Sequence, residues 1–225
     1  MSNNAVLFDL DGTLVDLRID IEDVRGQLAE LFAPLGYTTR FAPILERIAQ
    51  ASAQVSNSES ERVDLHRRGM GLLDAAELAA ADTADAVAGA VTIVAHLVDA
   101  SVPVAIITNN SRGCVAPALA TIGLGAVPWV TTVSRDDAPA KPNPTGVTAA
   151  ARSLLPEGGT VWLVGDGDRD IEAAMNANAL LSDIDVVSVG LLRESNEARL
   201  RAASPDHVID DLALLAGLLG LDPVG

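Results

Sequence analysis

The sequence predicts an α/β fold in three layers: a parallel sheet with helices on both faces, interrupted by a helical insert. Three observations lead to this prediction. Short apolar runs rich in β-branched residues recur along the chain, helical segments separate the last four of them, and a long helical stretch separates the first two. Alternation of strands and helices is typical of a parallel sheet covered on both sides.

The strand predictions rest on apolar runs that end in polar or glycine residues. Five runs have the length and composition of strands buried on both faces: Ala5–Leu10, Val102–Thr108, Trp129–Val133, Thr160–Gly165 and Val186–Gly190. Helices are predicted after four of these strands: Ser111–Gly123, Pro144–Leu155, Asp168–Asn178 and Asp210–Leu219.

The interval between the first two strands is much longer than a single crossover needs, which predicts an inserted domain. Apolar residues recur at helical spacing from Ile21 to Leu35, and Asp20 is placed to cap that helix. Further helices are predicted at 41–55 and 60–78, the latter weakened by Gly69 and Gly71, whereas 84–99 leads into the second strand. We therefore predict a helical cap domain at 17–82 and an α/β core domain at 1–16 and 83–225.

The composition of the 225-residue chain excludes several classes of partner. Hydrophobic residues make up 49% of the chain, and acidic residues outnumber basic ones by 31 to 15, giving a net charge of −16. A surface this acidic argues against nucleic acid and anionic membranes. Cys114 is the single cysteine, so we expect a buried core residue and a cytoplasmic protein. Whether the chain is a monomer or a homodimer is left open.

Polar side chains follow four of the predicted strands. Asp9 and Asp11 close the first, Thr108 and Asn109 the second, Lys141 comes after the third, and Asp166 and Asp170 follow the fourth. Ligands of open parallel sheets bind beyond the carboxyl ends of the strands. We therefore expect these side chains to lie together at the carboxyl edge of the sheet.

Each group has a task if the substrate is a phosphate ester. Phosphoryl transfer needs a nucleophile, neutralisation of the phosphate oxygens and a proton for the leaving oxygen. Asp9 can attack as a carboxylate, and the flexibility of Gly12 lets Asp11 turn back as general acid and base. Asp9 and Asp166 offer the oxygen ligands that Mg²⁺ prefers, Thr108 can hold phosphate oxygens, and Lys141 balances the acids. In isolation each motif is typical of a turn or a helix cap; their order at successive strand ends favours catalysis.

The chain resembles the haloacid dehalogenase superfamily, and within it the phosphatases with a helical cap, of the phosphoglycolate phosphatase and β-phosphoglucomutase type. The segments that carry the resemblance are LFDLDGTLVD, ITNN, RDDAPAKPNP and LVGDGDRDIEAA. The resemblance implies a Rossmann-like core and a mobile cap that closes over the substrate.

The resemblance also implies roles for individual residues. Asp9 would be the nucleophile and Asp11 the general acid and base, while Thr108 and Lys141, with Asn109 beside Thr108, would bind the phosphoryl group. Mg²⁺ would be bound by Asp9, Asp166 and the backbone carbonyl of Asp11, with Asp170 supporting the metal shell. Arg40, in the loop between the first two cap helices, is a candidate for substrate contact, although a solvated surface charge is the commoner role of such a residue.

Three functions remain open from the sequence. The first choice is a hydrolase acting on a small ester such as phosphoglycolate or a sugar phosphate. A phosphomutase of the β-phosphoglucomutase type would carry the same four motifs. A non-catalytic regulatory protein is a third hypothesis. It is disfavoured because such a protein would be expected to lack one or more of the catalytic candidates, and all of them are present: Asp9, Asp11, Lys141 and Asp166.

Overall fold

The computed structural model of the protein describes residues 3–224, and these divide into two compact units. One unit contains the N-terminal segment up to Leu17 and the chain from Ala81 onward; the other is Arg18–Ala80. The predicted insert, 17–82, overlaps the second unit with slightly wider bounds. Its assignment as a cap domain remains a prediction.

Strands and helices alternate along most of the chain. In order they are β1 (Asn4–Phe8), β2 (Val15–Asp16), α1 (Ile21–Phe32), α2 (Ile44–Val55), α3 (Glu59–Ala81), β3 (Asp85–Ala86), α4 (Ala90–Asp99), β4 (Val104–Ile107), α5 (Arg112–Thr121), β5 (Thr132–Val133), α6 (Thr145–Leu154), β6 (Gly159–Gly165), α7 (Asp168–Asn178), β7 (Ile184–Leu191), α8 (Glu197–Ala202), β8 (His207–Ile209) and α9 (Leu214–Leu218).

A parallel sheet forms the centre of the first unit. Within residues 3–224 it has six strands in the order β5-β4-β1-β6-β7-β8, all parallel to their neighbours. β1 lies between β4 and β6, with Leu7 opposite Ala105 on one side and Leu163 on the other. The carboxyl ends of β4, β1 and β6 therefore lie side by side, where an open α/β sheet forms its ligand site.

Both faces of the sheet are covered, as predicted. Ala5 and Leu7 of β1 pack in one apolar cluster with Ala150 of α6 and Ala173 of α7. Alternate residues of the strand, such as Phe8, point to the opposite face, and α4 packs against β4. The predicted α/β class with a parallel sheet and flanking helices is confirmed.

Some elements differ from the sequence prediction. β8 and α8 were not predicted. β5 was predicted from Trp129 but is only Thr132–Val133, and the N–H of Trp129 donates to Val127 O in a local turn before it. The last helix was predicted from Asp210 but begins at Leu214. The Asp211 carboxylate accepts the N–H of Ala213 at 2.9 Å, which holds a turn before the helix.

The second unit is helical and has its own core. Asp20 caps α1 by accepting the N–H of Asp23, as predicted. A 3-10 turn, Ala33–Leu35, follows this helix. Phe32, Tyr37 and Phe41 contact one another at ring-centroid distances of 5.3 to 6.4 Å and are enclosed by apolar residues of α1, α2 and α3.

Among residues 3–224, no helix has the length and apolar character needed to cross a membrane.

Candidate active site at the carboxyl edge of the sheet

The residues predicted from the strand ends of the first unit come together. Lys141, in the loop before α6, donates from Nζ to Asp9 Oδ1 and to Asp170 Oδ1, each at 2.6 Å. A third hydrogen bond of 3.1 Å runs from the same ammonium group to Ile107 O. Asp9, Lys141 and Asp170 are all more than nine-tenths buried. The three donors of the ammonium group are thus all used, which fixes its position between two carboxylates.

Burial and charge act on this group in opposite directions. Burial disfavours the charged ammonium of Lys141, but Asp170 and Asp9 outweigh that effect and raise its pKa above the ordinary value. Burial raises the pKa of Asp9, Lys141 opposes the rise, and the carboxylates of Asp170 and Asp166 add to it. The site therefore has an excess of negative charge that one lysine does not balance.

The carboxylates are arranged to hold a cation. Asp9, Asp166 and Asp170 each offer one oxygen, and the three oxygens lie within 4.8 Å of one another. Burial, followed by the nearby charges of Asp170 and Asp11, raises the pKa of Asp166 to about 6. An all-oxygen donor set with surplus negative charge fits a hard cation such as Mg²⁺.

Two glycines allow the carboxylates to approach the backbone. Gly12 has a φ of +85°, and a Cβ there would lie 2.6 Å from the carboxylate carbon of Asp166. A Cβ on Gly165 would lie 2.3 Å from the same atom of Asp170. The sequence predicted Gly12 as a turn residue; the structure adds that any side chain there would displace Asp166.

Asp11 lies beyond Asp9 on the loop that turns back toward Val15. The turn is closed by hydrogen bonds such as Gly12 N–H to Val15 O at 2.7 Å. Asp11 is half-buried, and its Oδ1 accepts the N–H of Leu17 at 3.0 Å. The chain thus turns back after Asp9, as the flexibility of Gly12 predicted.

Asp170 is held from two sides. Its Oδ1 accepts from Lys141, and its Oδ2 accepts the N–H of Gly167 at 3.0 Å, at the start of α7. These two hydrogen bonds fix the carboxylate beside Asp9 and Asp166, an arrangement that suits a supporting role at a metal site.

Thr108 and Asn109 follow β4 but make different contacts. Thr108 Oγ1 donates to Asn110 Oδ1 at 2.7 Å and accepts the N–H of Asn110 at 3.0 Å. The Asn109 side chain accepts the N–H of Lys141 at 2.7 Å and donates to Lys141 O at 3.1 Å. The Asn109 side chain thus holds the backbone that carries Lys141, and its predicted role in substrate binding stays a prediction.

Arg40 belongs to the other unit. Its guanidinium donates to Glu22 at 2.8 Å, and both side chains are 68% exposed. This is the solvated ion pair of a surface residue, and a role in substrate contact stays a prediction.

Sequence reasoning missed two residues at the same sheet edge. Arg193 and Asn196 follow β7, and they hydrogen-bond to the backbone of Gly12 and Asp166, respectively. The apolar run that became β7 was predicted, so the rule that polar residues after a buried strand meet at the carboxyl edge of the sheet could have found them.

Comparisons with known proteins find one family of hydrolases. A family model of haloacid dehalogenase-like hydrolases matches residues 4–178. A phosphoglycolate phosphatase of Pseudomonas syringae pathovar tomato is 31% identical over 231 residues, spanning 96% of this chain and 80% of the relative.

Solved structures share the fold over nearly the whole chain. A hydrolase of this family from Deinococcus radiodurans, crystallised with bound phosphate and sodium, is 25% identical with a TM-score of 0.61, covering 97% of each chain. CbbY of Rhodobacter sphaeroides, in complex with xylulose-1,5-bisphosphate, is 21% identical with a TM-score of 0.67 and covers 99% of this chain and 100% of its own.

Proposed function

The chain belongs to the haloacid dehalogenase-like hydrolase family, and we propose that it is a Mg²⁺-dependent phosphatase that hydrolyses a small phosphate monoester through a phosphorylated Asp9. The observation that carries the proposal is the buried ion cluster at the sheet edge. Lys141 lies 2.6 Å from both Asp9 and Asp170, and Asp166 completes a group of three converging carboxylates.

Asp9 has the position and surroundings of a nucleophile. It lies directly after the central strand β1, it is 6% exposed, and Lys141 fixes one of its carboxylate oxygens. An oriented carboxylate in a water-poor site is an effective nucleophile toward phosphorus. In the first step a bond forms between an Asp9 oxygen and phosphorus while the bond from phosphorus to the leaving oxygen breaks.

Asp11 would act as the general acid in the first step and as the general base in the second. It donates a proton to the leaving oxygen in the first step, so that the alcohol departs neutral. In the second step it accepts a proton from a water molecule that attacks phosphorus, and the bond between phosphorus and Asp9 breaks to release phosphate. The hydrogen bond from the N–H of Leu17 orients Asp11 for both transfers.

The bound ion and the lysine would neutralise the phosphoryl group. Mg²⁺, held by Asp9, Asp166 and the backbone carbonyl of Asp11 and supported by Asp170, would supply positive charge to the phosphate oxygens and to the developing transition state. Lys141 adds a second positive charge, and Thr108 contributes a hydroxyl. The bound phosphate in the Deinococcus radiodurans relative supports the choice of ligand.

The relatives and the charge of the chain support the proposed substrate class. Phosphoglycolate phosphatases at about 30% identity favour a small anionic phosphate ester. The net charge of −16 opposes long anionic polymers, whereas a compact ester is neutralised locally by Mg²⁺ and Lys141.

The proposal is tested by phosphate release from a panel of small esters that includes phosphoglycolate and sugar phosphates, with Mg²⁺ or with EDTA. We expect turnover only with Mg²⁺, and a loss of roughly a thousandfold or more in Asp9→Asn, because the amide is a poor nucleophile. Asp185→Asn, which removes an equal charge from an exposed position of β7, should keep wild-type activity.

Absence of phosphate release from every ester, by a folded protein that binds Mg²⁺, would contradict the hydrolase. Conversion of β-glucose 1-phosphate to glucose 6-phosphate would then identify a phosphomutase with the same nucleophile. Turnover that survives Asp9→Asn would contradict the mechanism itself.

A further inference from the structure

The loop after β7 connects the two carboxylate-bearing loops of the candidate site. This connecting loop, residues 192–196, lies between β7 and α8. It contributes the side chains of Arg193 and Asn196, which form hydrogen bonds to the backbone next to Asp11 and to the backbone of Asp166. Neither residue belongs to the segments that identify the family.

Arg193 holds the loop that carries Asp11. Its Nη1 donates to Gly12 O at 3.0 Å, and its Nη2 donates to both carboxylate oxygens of Asp16, at 2.7 and 2.9 Å. The side chains of Arg193 and Asp16 are only about a third exposed, at 30% and 34%. Because Nη1 and Nη2 belong to one planar, rigid guanidinium group, these hydrogen bonds hold Gly12 O at a fixed position relative to Asp16.

Asn196 holds the backbone of Asp166 and the connecting loop together. It is 2% exposed, and its amide donates to Asp166 O at 2.7 Å and to Leu191 O at 2.9 Å. Its carbonyl oxygen accepts the N–H of Arg193 at 2.8 Å. The Asn196 side chain therefore binds the backbone of both Arg193 and Asp166.

Only a narrow gap separates Gly12 from the Asp166 carboxylate. Gly12 approaches the Asp166 carboxylate so closely that a Cβ would be 2.6 Å from it. A shift of a few tenths of an ångström in the Gly12 backbone changes the distance between the Asp11 loop and Asp166 directly. The groups proposed to hold Mg²⁺ include the Asp166 carboxylate and the Asp11 carbonyl, one on each side of this gap.

We propose that Arg193 and Asn196 are positioning residues that set the spacing between the Asp11 loop and Asp166, and thereby the affinity of the site for Mg²⁺. The inference rests on the proposed metal site. Outer groups that orient metal ligands typically change affinity by about 10- to 100-fold when removed.

The test is direct titration of the full chain with Mg²⁺ in a calorimeter, without any ester. We expect Arg193→Ala to weaken Mg²⁺ binding by roughly tenfold or more. Arg193→Lys keeps the charge but cannot reach Gly12 O and both oxygens of Asp16 at once, so it should recover only a small part of the affinity. Arg201→Ala, which removes an exposed arginine that pairs with Glu197 on α8, is the control and should bind Mg²⁺ as the wild type does.

A kinetic measurement on the best ester complements the titration. We expect kcat to fall and the KM for the ester to stay near the wild-type value, because the misplaced groups act on the metal and the proton. Thermal unfolding of each variant establishes folding; if Arg193→Ala does not fold, Arg193→Lys and Asp16→Asn carry the test, with Asp16→Asn expected to weaken Mg²⁺ binding for the same reason.

Wild-type Mg²⁺ affinity in folded Arg193 variants, or full recovery in Arg193→Lys, would overturn the inference and leave the phosphatase proposal standing. Weakened binding in a protein whose wild type binds Mg²⁺ but hydrolyses no ester would support the inference and overturn the phosphatase. The two proposals are thus separated by their readouts.

Discussion

The surroundings of Asp166 change its pKa enough to affect the stability of the protein. Burial and the neighbouring acids raise its pKa to about 6 from an ordinary value of 3.8. The folded protein therefore binds this proton more tightly than the unfolded chain does. The stabilising contribution is complete below pH 4 and is lost as the pH rises through about 6, because the ionised carboxylate is then buried among other acids.

We predict that the metal-free protein loses on the order of 2 kcal/mol of unfolding free energy between pH 4.5 and 7.5 through this group. Asp166→Asn should flatten that part of the profile, and Mg²⁺ should restore stability to the wild type but not to the variant. Denaturant unfolding at a series of pH values, with EDTA or Mg²⁺, measures this. An equally steep profile in Asp166→Asn would show that another group is responsible.

The residues that the sequence could place are those that directly follow a recognisable buried strand. Asp9, Thr108 and Asp166 needed only the strand positions and the rule that parallel strands share a carboxyl edge. That rule could not predict the contact of the Asn109 side chain with the Lys141 backbone, because the contact depends on how the loop that carries Lys141 returns to the edge of the sheet. The same rule could have placed Arg193 and Asn196 after β7, but not their contacts with Gly12 and Asp166, because those residues lie far away along the chain.

At the scale of elements, α3 shows what two glycines do within one helix. The sequence predicted a helix weakened by Gly69 and Gly71, and the structure has one continuous helix, Glu59–Ala81. Gly69 is buried, and a Cβ there would lie 2.8 Å from Ile48 Cγ2 and 3.3 Å from Phe32. Gly71 is exposed, and apart from its chain neighbours and the backbone of its own helix nothing lies within 4 Å of a Cβ there. Gly69 therefore permits close packing of the helices, and Gly71 has no such role.

We predict opposite effects of the same substitution at these two positions. Gly71→Ala should raise the free energy of unfolding by about 0.5 to 1 kcal/mol, because alanine loses less backbone entropy in a helix. Gly69→Ala should lower it by roughly 1 kcal/mol or more, since the buried Ile48 must move. Denaturant unfolding of the two variants measures this, and each variant serves as the control for the other because both carry the same substitution in the same helix. Equal stabilisation by both would contradict the packing role of Gly69.

Elements were predictable in proportion to their length and apolar content. The strands that became β1, β4, β6 and β7 are buried runs with clear ends. β8 has only three residues, His207–Ile209, and one of them is polar, so its sequence carries no strand pattern. Its place beside β7 comes from backbone pairing such as Val189 with His207, which a single-sequence pattern does not reveal.

For the whole molecule, the division into two units has a consequence for function. The helical unit Arg18–Ala80 interrupts the other unit between β2 and β3, and these two strands pair with Asp16 opposite Asp85. Paired residues of antiparallel strands lie about 5 Å apart. The ends of the chain left by removing the helical unit are therefore close together within the sheet-containing unit, and a short linker suffices to rejoin them.

We predict that replacing Arg18–Ala80 by a short glycine-rich linker gives a folded protein that binds Mg²⁺ with nearly wild-type affinity, because the carboxylates, Lys141, Arg193 and their apolar core all belong to the remaining unit. If the helical unit is a cap that excludes water and selects the leaving group, this variant should retain slow hydrolysis of p-nitrophenyl phosphate and lose its preference among small esters. Asp9→Asn in the same background separates that activity from a contaminant. Undiminished discrimination between esters would show that substrate choice resides in the sheet-containing unit and that Arg18–Ala80 is not a specificity cap.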